Sequence, residues 1–336
     1  MKKIKNISII GDGGWGTTLA IHLAKKKYPV VLWGAFGDYV AQVAKSRENK
    51  KFLPGYQIPS SVRLTSDLNQ AITVGDLIVL ASPSEYLTST LRKIKNTDYQ
   101  GKVFLSVVKG VHPVSFKRMS EIIKEVLGPV SLAVLSGPTI AGEVAAGLAT
   151  TAVISCDKKD LAQQIQKILH SPAFRIYTNN DVIGTEIGGS IKNVIAIACG
   201  ICDGLGLGSN AKAAVLTRGL SEMTLLGVAL GGKKETFYGL TGLGDLVTTC
   251  VSPKSRNRTV GEAIGKGGHI KKILGSMSMV AEGVITSKAV YRLSQKKKIP
   301  MPITEQVYKI IFKGKNPRKA MMDLMGRQPK SESNAR

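Results

Sequence analysis

The chain has 336 residues, which at roughly 150 residues per domain points to about two domains and a sizeable buried core. Apolar residues make up 43% against 21% charged, and no run reaches the about 18 consecutive apolar residues of a spanning helix, so disorder and an integral membrane protein are both excluded. Lysine and arginine number 47 against 23 acids, a formal charge of +24, which raises nucleic acid, a membrane surface or an anionic small molecule as partners.

In chain order, Met1-Lys2-Lys3-Ile4-Lys5 has a basic flavour, but the apolar run behind it, Ile7 to Ile10, is too short for a signal peptide and lacks a small-residue cleavage site. A cytoplasmic protein is expected. Strands are predicted at Ile7 to Ile10, Val30 to Trp33, Leu77 to Leu80, Val103 to Val107, Leu132 to Leu135 and Thr151 to Ile154. They alternate with amphipathic stretches, the pattern of βαβ units around a parallel sheet. From about Asp181 the apolar residues Ile183, Ile187, Ile191, Val194, Ile195 and Ile201 recur at helical spacing, and helical segments broken by glycine clusters follow. The fold class expected is α/β: a Rossmann-type dinucleotide-binding domain over 1–180, a mostly helical substrate domain over 181–328, and a loose polar tail over 329–336. Met321, Met322 and Met325 read as helix packing. Cys156, Cys199, Cys202 and Cys250 are too few and scattered for a disulfide framework. The C-x-x-C of Cys199 and Cys202 lies in a helical apolar pattern without a second pair, so core residues are expected and no metal site.

Gly11-Asp12-Gly13-Gly14-Trp15-Gly16 is a G-x-G-x-x-G placed directly after a strand and before the helical stretch Thr17 to Lys26. The glycines allow a tight turn, close backbone approach to a pyrophosphate and close helix packing, with the phosphates at the helix N-terminus. In that context the motif predicts dinucleotide binding. Asp12 is an odd neighbour for a pyrophosphate; its side chain must point away or weaken the site. At the end of the second strand, Trp33-Gly34-Ala35-Phe36-Gly37-Asp38 carries no cation, which tilts the reading slightly to NAD over NADP. Asp38 can equally cap the next helix.

Lys109 follows a strand, as does Ser136-Gly137-Pro138-Thr139-Ile140-Ala141-Gly142-Glu143, and functional loops of open α/β sheets lie beyond the carboxyl ends of strands. Lys192 stands mid-helix with Gly188, Gly189, Ile195 and Ala196 as neighbours and no acid within a turn. In a water-poor pocket such a lysine has a lowered pKa and can give a proton to an alkoxide; on a surface it merely snorkels. In Ser252-Pro253-Lys254-Ser255-Arg256-Asn257-Arg258, Ser252 and Pro253 read as N-cap and first turn, with Arg256 able to grip phosphate. Just before it, Gly239-Leu240-Thr241-Gly242-Leu243-Gly244-Asp245 ends in a carboxylate suited to a substrate hydroxyl or to orienting Lys192.

Together these residues resemble a known family. Gly11-x-Gly-x-Trp-Gly-Thr17, Ser136-Gly-Pro-Thr139, Lys192-Asn193, Asp203 to Gly208, Thr217 to Leu220, Gly242-Leu-Gly-Asp245, Ser255-Arg-Asn257, Glu282-Gly283, Pro300 to Ile303 and Gly314 to Asn316 resemble the soluble bacterial-type NAD(P)-dependent glycerol-3-phosphate dehydrogenases. The resemblance implies reversible reduction of dihydroxyacetone phosphate to sn-glycerol 3-phosphate for glycerophospholipid synthesis, and a homodimer. It implies Lys192 as proton donor and acceptor. It places Lys109, Gly137, Thr139, Lys192, Asp245, Ser255, Arg256 and Asn257 at the substrate. It places Gly11, Gly13, Gly14, Trp15, Gly16, Lys109, Ala141, Arg256, Val280 and Glu282 at the cofactor, NAD or NADP. Two residues depart from the pattern: Asp12 replaces the usual small residue, and Ala35 stands where many relatives have a basic side chain near the adenosine ribose.

A dehydrogenase for a 2- or 3-hydroxy acid would share the loop but need no Ser-Arg-Asn clamp. A nucleic-acid or membrane-surface protein is motivated by the charge, yet aromatics are only 5% and no aromatic-interleaved basic stripe occurs. No stable nucleic-acid partner and no integral membrane association are expected. Residues 1–51 hold ten basic against three acidic side chains and residues 292–336 twelve against three. Runs such as Lys25-Lys26-Lys27 and Lys296-Lys297-Lys298 therefore read as solvated surface outside the clamp.

Overall fold

The computed structural model describes residues 3–277, 281–329 and 331–332. Eight strands, β1 (Ile7–Ile10), β2 (Val30–Trp33), β3 (Val62–Thr65), β4 (Leu77–Leu80), β5 (Val103–Ser106), β6 (Ser131–Ser136), β7 (Thr150–Ser155) and β8 (Phe174–Asn179), form one sheet in the order β3-β2-β1-β4-β5-β6-β7-β8. All neighbours run parallel except β6 and β7. The strand order reverses around β1, which pairs with β2 on one side and β4 on the other. Such a switch point opens a crevice beyond the carboxyl ends of the strands.

The interior strands β1, β2 and β4 are apolar at nearly every position and buried throughout, as expected of parallel strands covered on both faces. The two strands that the sequence reading missed, β3 and β8, are the edges of the sheet. Each mixes buried with exposed residues, Arg63 in β3 and Arg175 and Tyr177 in β8 being exposed. Polar outward residues belong on edges, and they remove the continuous apolar run by which the interior strands are recognised.

Beyond β8 the described chain is helical, beginning with the helix Val182–Leu205. Asp181 caps it by accepting from the Gly184 amide at 2.8 Å, and residues 184–202 are buried throughout. It is long and apolar enough to cross a membrane, the only such helix among the described residues, and 89% of its apolar window is buried inside the fold. No continuous apolar run announced it, because Glu186, Ser190, Lys192 and Asn193 interrupt the sequence. Gly200 and Gly204 meet Gly261 and Gly265 of the helix Arg256–Gly265 so closely that a Cβ at any of the four would overlap the facing backbone. These two small-residue pairs at i, i+4 let the helices touch backbone to backbone and set Arg256 and Asn257 beside the helix that carries Lys192.

All four cysteines are free and buried, and no cluster of metal-ligating side chains occurs among the described residues. Lys25, Lys27 and Lys296 to Lys298 are exposed, whereas Lys26 is half-buried and donates to the carbonyls of Lys167 and His170 at the end of the helix Lys159–Leu169. The methionine reading fails in part: Met322 and Met325 are exposed on the helix Pro317–Met325, which buries only Ala320. Of the expected tail, residues 330 and 333–336 lie outside the described residues.

Candidate active site

The loop after β1 is shaped by its missing side chains. Gly11 has φ +125°, a conformation that favours glycine, and a Cβ there would meet the backbone of Ala81 and Ser82 at 2.7 Å. Gly16 packs on the Gly11 carbonyl with no room for a Cβ. Gly13, by contrast, has nothing within 4 Å of its Cβ direction and is the N-cap of the helix Gly14–Lys25, whose first turn has no acidic residue. An open space above a helix N-terminus with unpaired amides fits a pyrophosphate. Trp15 Nε1 is buried without a hydrogen-bond partner. Ala141 reaches the loop from another segment: its carbonyl accepts from Thr18 Oγ1 at 3.1 Å and its Cβ lies beside Gly14.

The second part of the site is a bridged pair of lysines. Asp245, 1% exposed, opens the helix Asp245–Val251 directly after a π-helical turn over Leu240–Gly244. Its Oδ1 accepts from Lys192 Nζ and its Oδ2 from Lys109 Nζ at 2.8 Å. Lys109 Nζ also donates to the Gly137 carbonyl at 2.8 Å and to Thr139 Oγ1 at 3.3 Å. Lys192 Nζ donates to Thr249 Oγ1 at 2.7 Å. An ammonium has three protons, so Lys109 has none to spare while Lys192 keeps one.

Lys192 is 6% exposed, so it does not snorkel to solvent. Burial lowers its pKa to about 8, with Asp245 opposing the shift and Lys109 adding to it. The segment that follows Lys109 is tied to the same helix: Arg118 Nη1 donates to Glu186 Oε2 at 2.7 Å, and the Ser120 amide donates to Oε1 at 2.8 Å. These bonds tie the start of the helix Met119–Leu127, which follows Lys109 in the chain, to the helix that carries Lys192.

Ser255, not Ser252, is the N-cap of the helix Arg256–Gly265, accepting from the Arg258 amide at 3.3 Å. Ser252 instead ends the preceding helix; the proline pattern pointed one turn too early. Within the basic segment the two arginines differ. Arg258 Nε is bonded to Asp203 Oδ2 at 2.6 Å, whereas Arg256 faces Glu282, which opposes a lowering of the Arg256 pKa by desolvation. The Arg256 side chain is exposed. Asn257 donates to Asn193 Oδ1 and accepts from the Gly283 amide, both at 2.9 Å. It braces the residue next to Lys192, with one amide proton left over.

Glu282 begins the helix Glu282–Lys297 and accepts from the Ser84 amide at 3.0 Å and from Ser84 Oγ; burial holds its carboxyl above the usual range. Val280 lies outside the described residues. Asp38 sits exposed in the first turn of the helix Gly37–Ser46, whose N-cap is Phe36. Sequence reasoning missed Thr249, whose only advance signal was its place four residues after Asp245 on one helix, and Ser84, which carried none; Asn193 stood in the Lys192-Asn193 motif but was given no role of its own.

Comparison with known proteins places the whole chain beside one family. The family model described as NAD-dependent glycerol-3-phosphate dehydrogenase N-terminus matches residues 6–162 and its C-terminus partner matches 181–322. A protein named glycerol-3-phosphate dehydrogenase [NAD(P)+] from Chlorobium limicola is 48% identical over 97% of this chain and 99% of its own. One of the same name from Geobacter metallireducens is 44% identical over 98% and 99%. The crystal structure of glycerol-3-phosphate dehydrogenase from Coxiella burnetii superposes with TM-score 0.93 at 38% identity, covering 96% of this chain and 99% of that one.

Proposed function

Because the chain belongs to the NAD-dependent glycerol-3-phosphate dehydrogenase family, we propose that its buried, Asp245-bridged lysine pair is the centre at which dihydroxyacetone phosphate is reduced to sn-glycerol 3-phosphate. The enzyme is an NAD(P)-dependent oxidoreductase of that reaction, which supplies the backbone of glycerophospholipids. One observation carries the assignment of roles: of the two ammonium groups on Asp245, Lys192 alone has a proton uncommitted.

A bound reduced nicotinamide supplies the hydride. Lys192 Nζ holds the substrate carbonyl oxygen with its remaining N–H before the hydride arrives and passes that proton to the oxygen as it becomes an alkoxide. Asp245 keeps the ammonium in place and offsets part of its burial, so that Lys192, with a pKa of about 8, is mostly protonated at neutral pH. In the reverse direction the neutral amine takes the proton from the alcohol. Lys109 fixes the Gly137 and Thr139 turn through which Asp245 is linked to the sheet. Gly137, Thr139 and Asp245 bind the body of the substrate, and Lys109, whose three protons are committed, adds its positive charge beside it. Ser255, Arg256 and Asn257 take its phosphate, Arg256 by its charge and Asn257 by its spare N–H.

Gly11, Gly13, Gly14, Trp15 and Gly16 hold the cofactor with Lys109, Ala141, Arg256, Val280 and Glu282. We divide the chain at 1–180, 181–328 and 329–336, supported by the end of β8 at Asn179 and the start of the helical part at Val182. A homodimer and a cytoplasmic location follow the family resemblance. Initial rates with dihydroxyacetone phosphate and with unphosphorylated keto acids and ketones test the reading. The phosphorylated substrate is expected to lead in kcat/KM by about a hundredfold or more, since a site built for a charged group is left unpaired by an analogue lacking it. Comparable rates would overturn it.

A further inference from the structure

The side chain of Asp12 has a place in the fold that the nicotinamide chemistry does not use. It does not point at the open space above Gly13. It turns the other way and lies on Gly34, at the carboxyl end of β2, where any Cβ would overlap the carboxylate and Val40 Cγ2. Oδ2 is buried there without a hydrogen-bond partner. The seat is rigid: the Asp12 carbonyl accepts from Asn49 Nδ2 at 2.7 Å and from Thr17 Oγ1 at 3.3 Å, and Asn49 Oδ1 accepts in turn from Tyr39 Oη at 2.6 Å. Burial raises the Asp12 pKa, with a bond from its own backbone amide and the Lys51 charge working against the rise.

A dinucleotide with its pyrophosphate on the Gly13 side places its adenosine ribose at the end of β2. The two nicotinamide cofactors differ only there, by a hydroxyl or a phosphate on the 2′ carbon. A hydroxyl can donate to a carboxylate that has an oxygen without a donor; a phosphate brings a second negative charge against it. Residues 34–38 have no cation to neutralise that phosphate, and Asp38 adds a further negative charge in the next helical turn. The remaining cation near the carboxylate is Lys51, exposed on the loop beyond Asn49.

We propose that Asp12 sets the cofactor preference of this enzyme, its carboxylate accepting from the adenosine ribose hydroxyls of NAD(H) and repelling the 2′-phosphate of NADP(H). The acid that usually extends from the end of the second strand is thus supplied here from inside the glycine loop, and Gly34 is glycine to make room for it. The proposal deepens the dehydrogenase reading and rests on it for the presence of a nicotinamide cofactor.

The test is equilibrium binding of NADH and NADPH, read from the fluorescence of the reduced cofactor itself, to the full chain and to Asp12→Asn, Asp12→Ala and Lys51→Ala. The unaltered protein is expected to bind NADH at least about tenfold more tightly than NADPH. Asp12→Asn, which keeps the shape and removes the charge, should tighten NADPH about tenfold and leave NADH within about threefold. Asp12→Ala should close the gap from both sides by losing the ribose contact as well. Preference for NADPH in the unaltered protein, or a ratio that both Asp12 variants leave unchanged, would overturn the proposal. So would a ratio governed by Lys51→Ala alone. Tight cofactor binding without turnover of dihydroxyacetone phosphate would instead sink the dehydrogenase reading and leave the discrimination by Asp12 standing.

Discussion

The Gly11 to Gly16 loop and the Asp245 cluster are joined by one segment, in which Gly137 and Thr139 bond Lys109 while Ala141 lies against Gly14. They are nevertheless built by opposite means. The loop works by backbone and by absent side chains: its open space, its helix amides and its close packing all require that Cβ atoms be missing. The cluster works by side chains from four separate stretches of chain, Lys109, Thr139, Lys192 and the Asp245 to Thr249 turn. One region therefore fails when an atom is added, the other when one is removed. The first should lose affinity and the second turnover.

The largest effect expected is on the cluster. Lys192→Ala should reduce kcat by about a thousandfold, the upper range for losing one donor to a developing oxyanion, while cofactor binding, read by fluorescence, stays within about threefold. Equal losses of binding and turnover would dissolve the distinction between the two regions. Next is Asp245→Asn, which leaves two ammonium groups without their shared counter-charge. A fall in kcat of about a hundredfold is expected, with a loss of about 3 kcal/mol in stability on thermal denaturation.

The pH profile sharpens this point. With Lys192 at about 8, reduction needs the protonated amine and should decline as pH rises through 8, whereas oxidation of the alcohol needs the neutral amine and should rise over the same range. Asp245 opposes the lowering of the Lys192 pKa, so in Asp245→Asn the alkaline limb of reduction should move to lower pH. A limb that stays in place would place the titrating group elsewhere.

Gly16→Ala tests the loop. Its Cβ would overlap the Gly11 carbonyl, and a rise of about tenfold in the cofactor dissociation constant is expected, with a destabilisation of about 1 to 3 kcal/mol from overpacking; kcat at saturating cofactor should change little. The smallest effect belongs to Thr249→Val, which removes one hydrogen-bond acceptor from Lys192. About 1 kcal/mol, or a fivefold fall in kcat, is expected, together with a displaced pH limb that a purely structural threonine would not produce.

How much of this was legible in the sequence follows the same division. The six interior strands were read within a residue or so of their observed ends, because burial on both faces demands apolar runs. The edges β3 and β8 were not, because an edge strand mixes buried with exposed residues and carries charge. The glycine loop was legible because its parts are contiguous. For Lys192 the residues alone left burial and surface both open, with the surface favoured, since nothing within a helical turn reveals an acid 53 residues away. Ser252 was read as the start of a helix because Ser-Pro is a valid cap signal; a helix ending at Val251 had already claimed it.

The charge of +24 likewise resolved by position. Lys25, Lys27 and the Lys296 to Lys298 run stay on the surface, while Lys109 and Lys192 are held by Asp245 and Arg256 feels the charge of Glu282. The sequence by itself determined the sheet, the cradle and the kind of side chains available, because hydrophobic period and glycine placement are local properties of a chain. Only the tertiary structure decided which lysine keeps a free proton and which way Asp12 turns. Both depend on hydrogen bonds and close contacts between segments that the chain brings together only once it is folded.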